Sequence, residues 1–197
     1  NIPIFFVDCL FNSTEEKPAA HKVTYIRKQI EAYIAEMEQF SGKKFDWDKF
    51  LEVQKRSQLN SKLFDEIIQL NTRTPAPLSG FDFFNYMSCL VLCRGKESTT
   101  EIFLQLKREI EEHIANGTSS FPGSEEFRVH WEGIACWPNL AHNLKTLRNY
   151  GVNAVINGYV TAWNIVYEPG NLDSMAYAYA TSSTNSLTTN TIMNMRS

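Results

Sequence analysis

The segment Glu132-Gly133-Ile134-Ala135-Cys136-Trp137-Pro138-Asn139-Leu140 carries the residue types best suited to chemistry. One cysteine lies between a strand-like run, Arg128-Val129-His130-Trp131, and a run from Leu140 to Tyr150 that reads as a helix. Open α/β sheets bind ligands at the carboxyl ends of their strands, which is where this order puts the thiol. Pro138 suits the first turn of a helix, where its missing N–H is harmless. Cys136 is therefore expected just ahead of a helix N-terminus, where free backbone N–H groups and the helix dipole favour a thiolate. A thiolate serves as a metal ligand or as a nucleophile. A nucleophile needs a base, and His130 and His142 are near in sequence without a pattern that aims either at the sulfur. The third fate is a small packed hydrophobe. Spacing alone favours the packed fate and leaves the other two open.

Other groups carry weaker signals. Glu132 ends the strand-like run, where a carboxylate could act as acid, base or hydrogen-bond acceptor, or cap a neighbouring N–H. Cys89 and Cys93 stand four apart, on one face of a helix, a spacing that can bind a metal but lies in a very hydrophobic segment better suited to core filling. Cys9 follows an apolar run directly and reads as a packed thiol at a sheet edge. Trp131, Trp137, Tyr159 and Trp163 either wall an apolar pocket or fill core. The Ser-, Thr- and Asn-rich tail from Thr181 to Ser197 either offers hydrogen bonds to a phosphate or is solvated loop. The chain lacks both GxGxxG and Walker A motifs, which disfavours an ordinary nucleotide site.

These groups need elements to position them. Ile2 to Asp8 is a continuous apolar run suited to a parallel strand buried on both faces. Val23, Ile26, Ile30, Ile34 and Met37 step by three and four, which predicts an amphipathic helix over Ala19–Phe40 that ends at Ser41-Gly42. Asp46 is expected to cap a second helix to about Leu70, with a weak polar middle around Ser57 to Asn60, and the two helices to form a hairpin. Thr72 to Gly80 is a Pro- and Gly-marked break. Phe81–Cys93 reads as a buried helix and Ser98–Asn116 as a third amphipathic one. Glu126–Glu132 and Val152–Val160 read as strands flanking the helix after Cys136. A last helix is expected from Asn171 or Asp173. The order strand, helices, strand, helix, strand, helix predicts an α/β fold with a parallel sheet. Residues 1–197 are expected as a single domain, with residues 19–116 as a helical excursion after the first strand.

Composition sets limits. The chain has 197 residues, 43% apolar and 21% charged, enough to bury a core. A net charge of -3 gives no footprint for nucleic acid. No apolar run approaches the roughly 20 residues that cross a bilayer, so no membrane partner is expected. The four cysteines are too sparse for a secreted disulfide scaffold, which suggests reduced thiols in the cytoplasm. The chain opens on Asn1 inside an apolar run, as a fragment of a longer subunit would.

Arg128 to Leu140, with the pattern R-x-x-x-E-G-x-x-C-W-x-x-L, resembles a stretch of the 2-hydroxyacyl-CoA dehydratases (2-hydroxyisocaproyl-CoA and 2-hydroxyglutaryl-CoA dehydratase subunits). These are two-subunit iron–sulfur enzymes of amino-acid-fermenting anaerobes, related to benzoyl-CoA reductase subunits. Ile2 to Asp8, Gly42 to Phe50, Gly158 to Trp163 and Asn185 to Arg196 are also similar, so the resemblance covers essentially the whole chain. It implies a Rossmann-like, three-layer C-terminal domain and a lyase that turns a (R)-2-hydroxyacyl-CoA substrate into the 2-enoyl-CoA through a ketyl radical. It further implies a heterodimer with a second dehydratase subunit, an ATP-dependent iron–sulfur activator protein, and a [4Fe–4S] cluster held by three cysteines. Cys136 matches one cluster ligand, and the other two would lie upstream. Glu132 and Trp137 are carried over only as neighbours of the cluster pocket, and Cys9, Cys89 and Cys93 match no ligand position. The alternatives are an electron-transfer subunit of the benzoyl-CoA reductase type and a non-catalytic α/β binding domain.

Overall fold

In the computed structural model, which describes residues 4–11 and 17–182, helices dominate and a short parallel sheet appears late in the chain. The elements are α1 (Ala20–Ser41), α2 (Trp47–Leu70), α3 (Asp82–Leu92), α4 (Glu97–Asn116), β1 (Phe127–Trp131), a 3-10 turn (Trp137–Asn139), α5 (Leu140–Asn149), β2 (Val152–Asn157), α6 (Gly158–Thr161) and α7 (Leu172–Thr181). The chain forms two compact units. One comprises the described residues up to Gln58 together with those from Ile165, and the other runs from Leu59 to Asn164.

In the first unit α1 packs on α7 through Ile26, Ala176 and Ala180. The two alanines stand four apart on one stripe, which lets the helices approach closely. Asn171 starts α7 by accepting the Ser174 N–H at 3.0 Å, and Gly42 ends α1 with φ 67°. The turn after α1 is held by Glu38, which accepts the Phe45 N–H at 2.7 Å, so its carboxyl falls below the usual range. Asp46 caps α2 as expected, accepting the Lys49 N–H at 2.8 Å.

The apolar run expected as a first strand differs. Its described part, residues 4–8, joins no ladder. Instead the Gln29 side-chain amide copies a strand neighbour: Asp8 N–H donates to Gln29 Oε1 at 2.7 Å, and Gln29 Nε2 donates to the Asp8 carbonyl at 2.7 Å. Phe5 rests edge-on against Tyr33 and Phe40, whereas Ile4 and Phe6 face solvent. A strand needs a neighbour's backbone, and none of the described residues supplies one here. The expected tail from 183 onward lies outside the described residues.

The polar stretch of α2 is not a weak point. Gln54 is buried and accepts the Gly170 N–H at 2.9 Å, and Gln58 accepts the Tyr167 N–H at 2.8 Å. In the second unit, fully buried Asn60 donates to the Arg94 carbonyl at 2.8 Å and accepts from Thr100 Oγ1 at 2.7 Å. These side chains satisfy loop backbone that would otherwise be buried without partners.

The core of the second unit is aromatic. Phe64 lies edge-on to Phe83 at 6.1 Å and tilted on Phe103 at 5.2 Å, with Ile67, Leu106 and Ile110 around them. Behind this core β1 and β2 pair in parallel, from Phe127 beside Val152 to Trp131 beside Asn157. A register shift after Val129 skips Val155, whose carbonyl accepts from Asn71 Nδ2 at 3.0 Å. The break from Thr72 to Gly80 is clamped to the sheet by three side chains. Asn71 Oδ1 accepts the Leu78 N–H at 2.8 Å. Asn153 Oδ1 accepts the Gly80 N–H at 3.3 Å. Arg128 donates to the Thr72 carbonyl at 2.8 Å and the Arg73 carbonyl at 3.0 Å. Gly80 is required by contact: a Cβ there would stand 1.2 Å from the Ala154 carbonyl oxygen. β2 is shorter than expected because the Asn157 side chain accepts the Val160 N–H at 3.2 Å and starts α6. The architecture is α/β with a parallel sheet, and four helices precede its strands.

Candidate functional site

The parallel pair joined through α5 makes the turn after β1 the carboxyl edge of the sheet. Trp131 ends β1 with its ring edge-on to Phe81 at 5.0 Å. Gly133, at φ 89°, turns the chain away from the strand direction; other residues adopt that backbone region only with strain. Ala135 is 3% exposed and packs into the core. Cys136 follows and is exposed. Trp137 then sets its ring edge-on to Phe84 of α3 at 5.5 Å. The thiol is thus presented to solvent between two anchored neighbours.

Cys136 precedes a single 3-10 turn, with Pro138 in its first positions, and the α-helix begins only at Leu140. The α-helical N-terminus expected beside the thiol is therefore displaced by three residues. One short turn lends little of a helix macrodipole, which sums over many peptides. Asn139 takes over locally. Its N–H donates to the Cys136 carbonyl at 2.9 Å, and its Nδ2 donates to Cys136 Sγ at 3.7 Å. Hydrogen bonds to sulfur of this kind also occur around metal-bound thiolates.

The three fates left open for this thiol now separate. Exposure removes the packed-hydrophobe reading. For a nucleophile, no histidine hydrogen-bonds the sulfur among the described residues; His142 is exposed, and His130 Nε2 is buried without a partner. An exposed thiol without a bonded base is compatible with a ligand role. Among the described residues no three His, Cys, Asp or Glu side chains converge to hold a metal ion. A [4Fe–4S] cluster is compatible with that: an accessible thiol, an amide donor to its sulfur, and no competing carboxylate bonded to it.

Glu132 is exposed on the same turn. The four aromatics do not form a single wall. Trp131 pairs with Phe81, Trp137 with Phe84, and Tyr159 with Trp163 at 6.1 Å. Trp137 and the outer face of α3 instead border an open apolar hollow of about 420 Å³. At the start of α3, burial pushes the Asp82 carboxyl above its usual value, while Arg148 and a contact from Ser120 oppose the rise. Cys89 and Cys93 are half-buried at the end of α3, and burial raises the Cys89 thiol. Cys9 is half-buried and borders an apolar cavity of about 320 Å³ in the first unit; burial and the Asp8 charge raise it.

Sequence reasoning missed Asn139 and Phe84. Asn139 stands only three residues from the thiol, within the same short segment, so a local bond to it was open to inspection. Phe84 lies 53 positions from Trp137, and no local pattern pairs them.

Residues 2–196 match the family model described as 2-hydroxyglutaryl-CoA dehydratase, D-component. The chain is 42% identical over 182 residues to the (R)-2-hydroxyisocaproyl-CoA dehydratase alpha subunit of Clostridioides difficile, covering 92% of this chain and 44% of that one. It is 38% identical over 179 residues to the (R)-phenyllactyl-CoA dehydratase alpha subunit of Clostridium sporogenes, covering 91% and 43%. It is 37% identical over 179 residues to the (R)-2-hydroxyglutaryl-CoA dehydratase, subunit alpha, of Acidaminococcus fermentans, covering 91% and 37%. The chain thus spans about two fifths of the length of these curated relatives.

Proposed function

The chain belongs to the 2-hydroxyglutaryl-CoA dehydratase, D-component family, and from that premise we propose that it forms part of the alpha-type subunit of a 2-hydroxyacyl-CoA dehydratase. The observation that carries the reading is the exposed Cys136 thiol at the carboxyl end of a parallel strand, held between Ala135 and Trp137. The enzyme is a lyase that removes water from a (R)-2-hydroxyacyl thioester to give the 2-enoyl thioester, after one-electron activation. Cys136 is one ligand of a [4Fe–4S] cluster, with the remaining ligands supplied from outside the described residues. When bound, the cluster supplies an iron that acts as a Lewis acid toward a substrate oxygen. The chain's own residues hold that site. Asn139 directs an N–H at the ligating sulfur. Trp137, edge-on to Phe84, borders one side of it. Glu132 places a carboxylate on the same turn.

The proposal includes a partner subunit, an ATP-dependent iron–sulfur activator and a cytoplasmic setting. No helix among the described residues is long and apolar enough to cross a membrane. The parallel β1–α5–β2 unit supports a Rossmann-like reading of the fold, with the helices of residues 19–116 ahead of the sheet. The test is an anaerobic assay of the full-length subunit with its partner and activator. Conversion of a 2-hydroxyacyl-CoA to the enoyl-CoA is expected. Reduction of an aryl-CoA ring without dehydration would replace this reading with that of the related reductase, and failure of both would leave a binding domain.

A further inference from the structure

Cys89 and Cys93 take no part in the proposed reaction, and the fold does not bury them as core. Asp82, Tyr86, Cys89 and Cys93 step by four, three and four, and all four are half-buried. They form one stripe along α3 and its C-cap, between the buried face and solvent. The Cys93 N–H donates to the Cys89 carbonyl at 3.1 Å, which sets the second thiol one helical turn past the first. The chain beyond is held: the Cys93 carbonyl accepts the Thr99 hydroxyl at 2.8 Å and the Lys96 N–H at 2.9 Å. Side chains four apart on a helix hold their Cβ atoms about 5–6 Å from each other. A disulfide draws Cβ atoms to about 3.8 Å, so the two sulfurs are not set to bond each other. One atom between them, with bonds of about 2.3 Å to each sulfur, spans the gap.

We infer that Cys89 and Cys93 form a dithiol site for a single thiophilic centre, a monosubstituted trivalent arsenical, held as a neutral bis-thiolate adduct. The inference stands apart from the dehydratase reading. The class follows from what the pair lacks and where it sits. Among the described residues no third His, Cys, Asp or Glu joins the two thiols, so a metal ion that requires three or four donors is left short. Burial raises the Cys89 thiol, opposed by the Ser88 hydroxyl, and Cys93 raises it further, so the site resists a charged product. The arsenical leaves none. Two As–S bonds form and the As=O bond breaks. The oxygen departs as water with both thiol protons, and arsenic stays trivalent. Leu92, next to Cys93 and 77% exposed, offers an apolar bed for the organic substituent. Because one helix turn carries both sulfurs, the second bond closes within the molecule, which strengthens binding about 100-fold or more over one thiol.

The experiment treats the assembled full-length enzyme anaerobically with phenylarsine oxide, followed by excess 2-mercaptoethanol, and maps the adduct by mass. Trypsin releases residues 74–94, which hold Cys89 and Cys93 and no other cysteine. One phenylarsenic group is expected on this peptide, resistant to the monothiol and removed by 2,3-dimercaptopropanol. Cys89→Ser and Cys93→Ser should each lower retention against the monothiol about 100-fold, whereas Cys9→Ser leaves it unchanged. Cys89→Ala and Cys93→Ala, which keep an apolar group against the core, are run beside them, with circular dichroism to check the fold. No adduct on this peptide would overturn the inference. So would stripping by the monothiol as readily from wild type as from the single variants, or retention that neither variant alters.

Discussion

Replacing Gly80 by alanine tests how the sheet that carries the Cys136 turn is held. A Cβ at this position would lie 1.2 Å from the Ala154 oxygen, 2.4 Å from its carbonyl carbon and 3.2 Å from the Val155 carbonyl carbon. Comfortable carbon contacts are about 3.5 Å, so β2 or the 72–80 segment must retreat by roughly 2 Å. The obstacle is backbone and cannot rotate aside. Such a retreat strains the Gly80 to Asn153 bond of 3.3 Å and the Asn71 to Val155 bond of 3.0 Å, both buried. Overpacking costs about 1–3 kcal/mol and each lost buried hydrogen bond about 1 kcal/mol. The expected loss is therefore about 4 kcal/mol, or roughly 2 M in urea midpoint at an m-value near 2 kcal/mol/M. Urea unfolding followed by tryptophan fluorescence reads it. Gly123→Ala is the control: nothing lies within 4 Å of its Cβ, and only the positive φ of 91° is strained, at about 1–2 kcal/mol. A Gly80→Ala loss below about 1 kcal/mol would refute the close approach and the clamp built on it.

Two further outcomes are expected. Phe103→Ala empties a fully buried site against Phe64 and should cost about 3–5 kcal/mol in chemical denaturation, and a loss under 1 kcal/mol would mean this core is not packed as described. Asp82 has a native carboxyl raised above its ordinary 3.8, chiefly by burial, so the native state holds its proton more tightly than the unfolded chain. The stability tied to that proton is present below 3.8 and lost as pH rises through the raised native value. Asp82→Asn should thus be more stable than the wild type at neutral pH, with the advantage closing as pH falls toward 3.8; a pH series of thermal unfolding that shows a constant or reversed difference contradicts it.

The sequence made the helices legible where one face repeats. The α1, α2, α4 and α7 boundaries follow from apolar steps and from the Asp46 and Asn171 caps. It made the Cys136 turn legible because Gly133 and Pro138 bracket it. Other features depended on partners far along the chain. Gln54, Gln58 and Asn60 looked like a polar gap in α2, yet each satisfies backbone groups over 30 residues away. The run at Ile4 to Asp8 has strand composition, but a ladder requires a second backbone, and Gln29 supplies only an amide. The pairing of Trp137 with Phe84, which shapes the hollow, is likewise a tertiary fact.

The central claim is that Cys136 ligates a cluster. The most direct measurement compares iron and acid-labile sulfide in the anaerobically purified, assembled full-length enzyme and its Cys136→Ala variant. Cys136 is exposed, and among the described residues the one hydrogen bond to its side chain is the long contact from Asn139, so the substitution should leave stability nearly unchanged, as surface changes usually do. The variant is expected to keep its fold by circular dichroism and its subunit association, while losing the iron and sulfide of one cluster together with dehydratase activity. Unchanged iron, sulfide and activity in a folded variant would contradict the claim and return Cys136 to an uncommitted surface thiol.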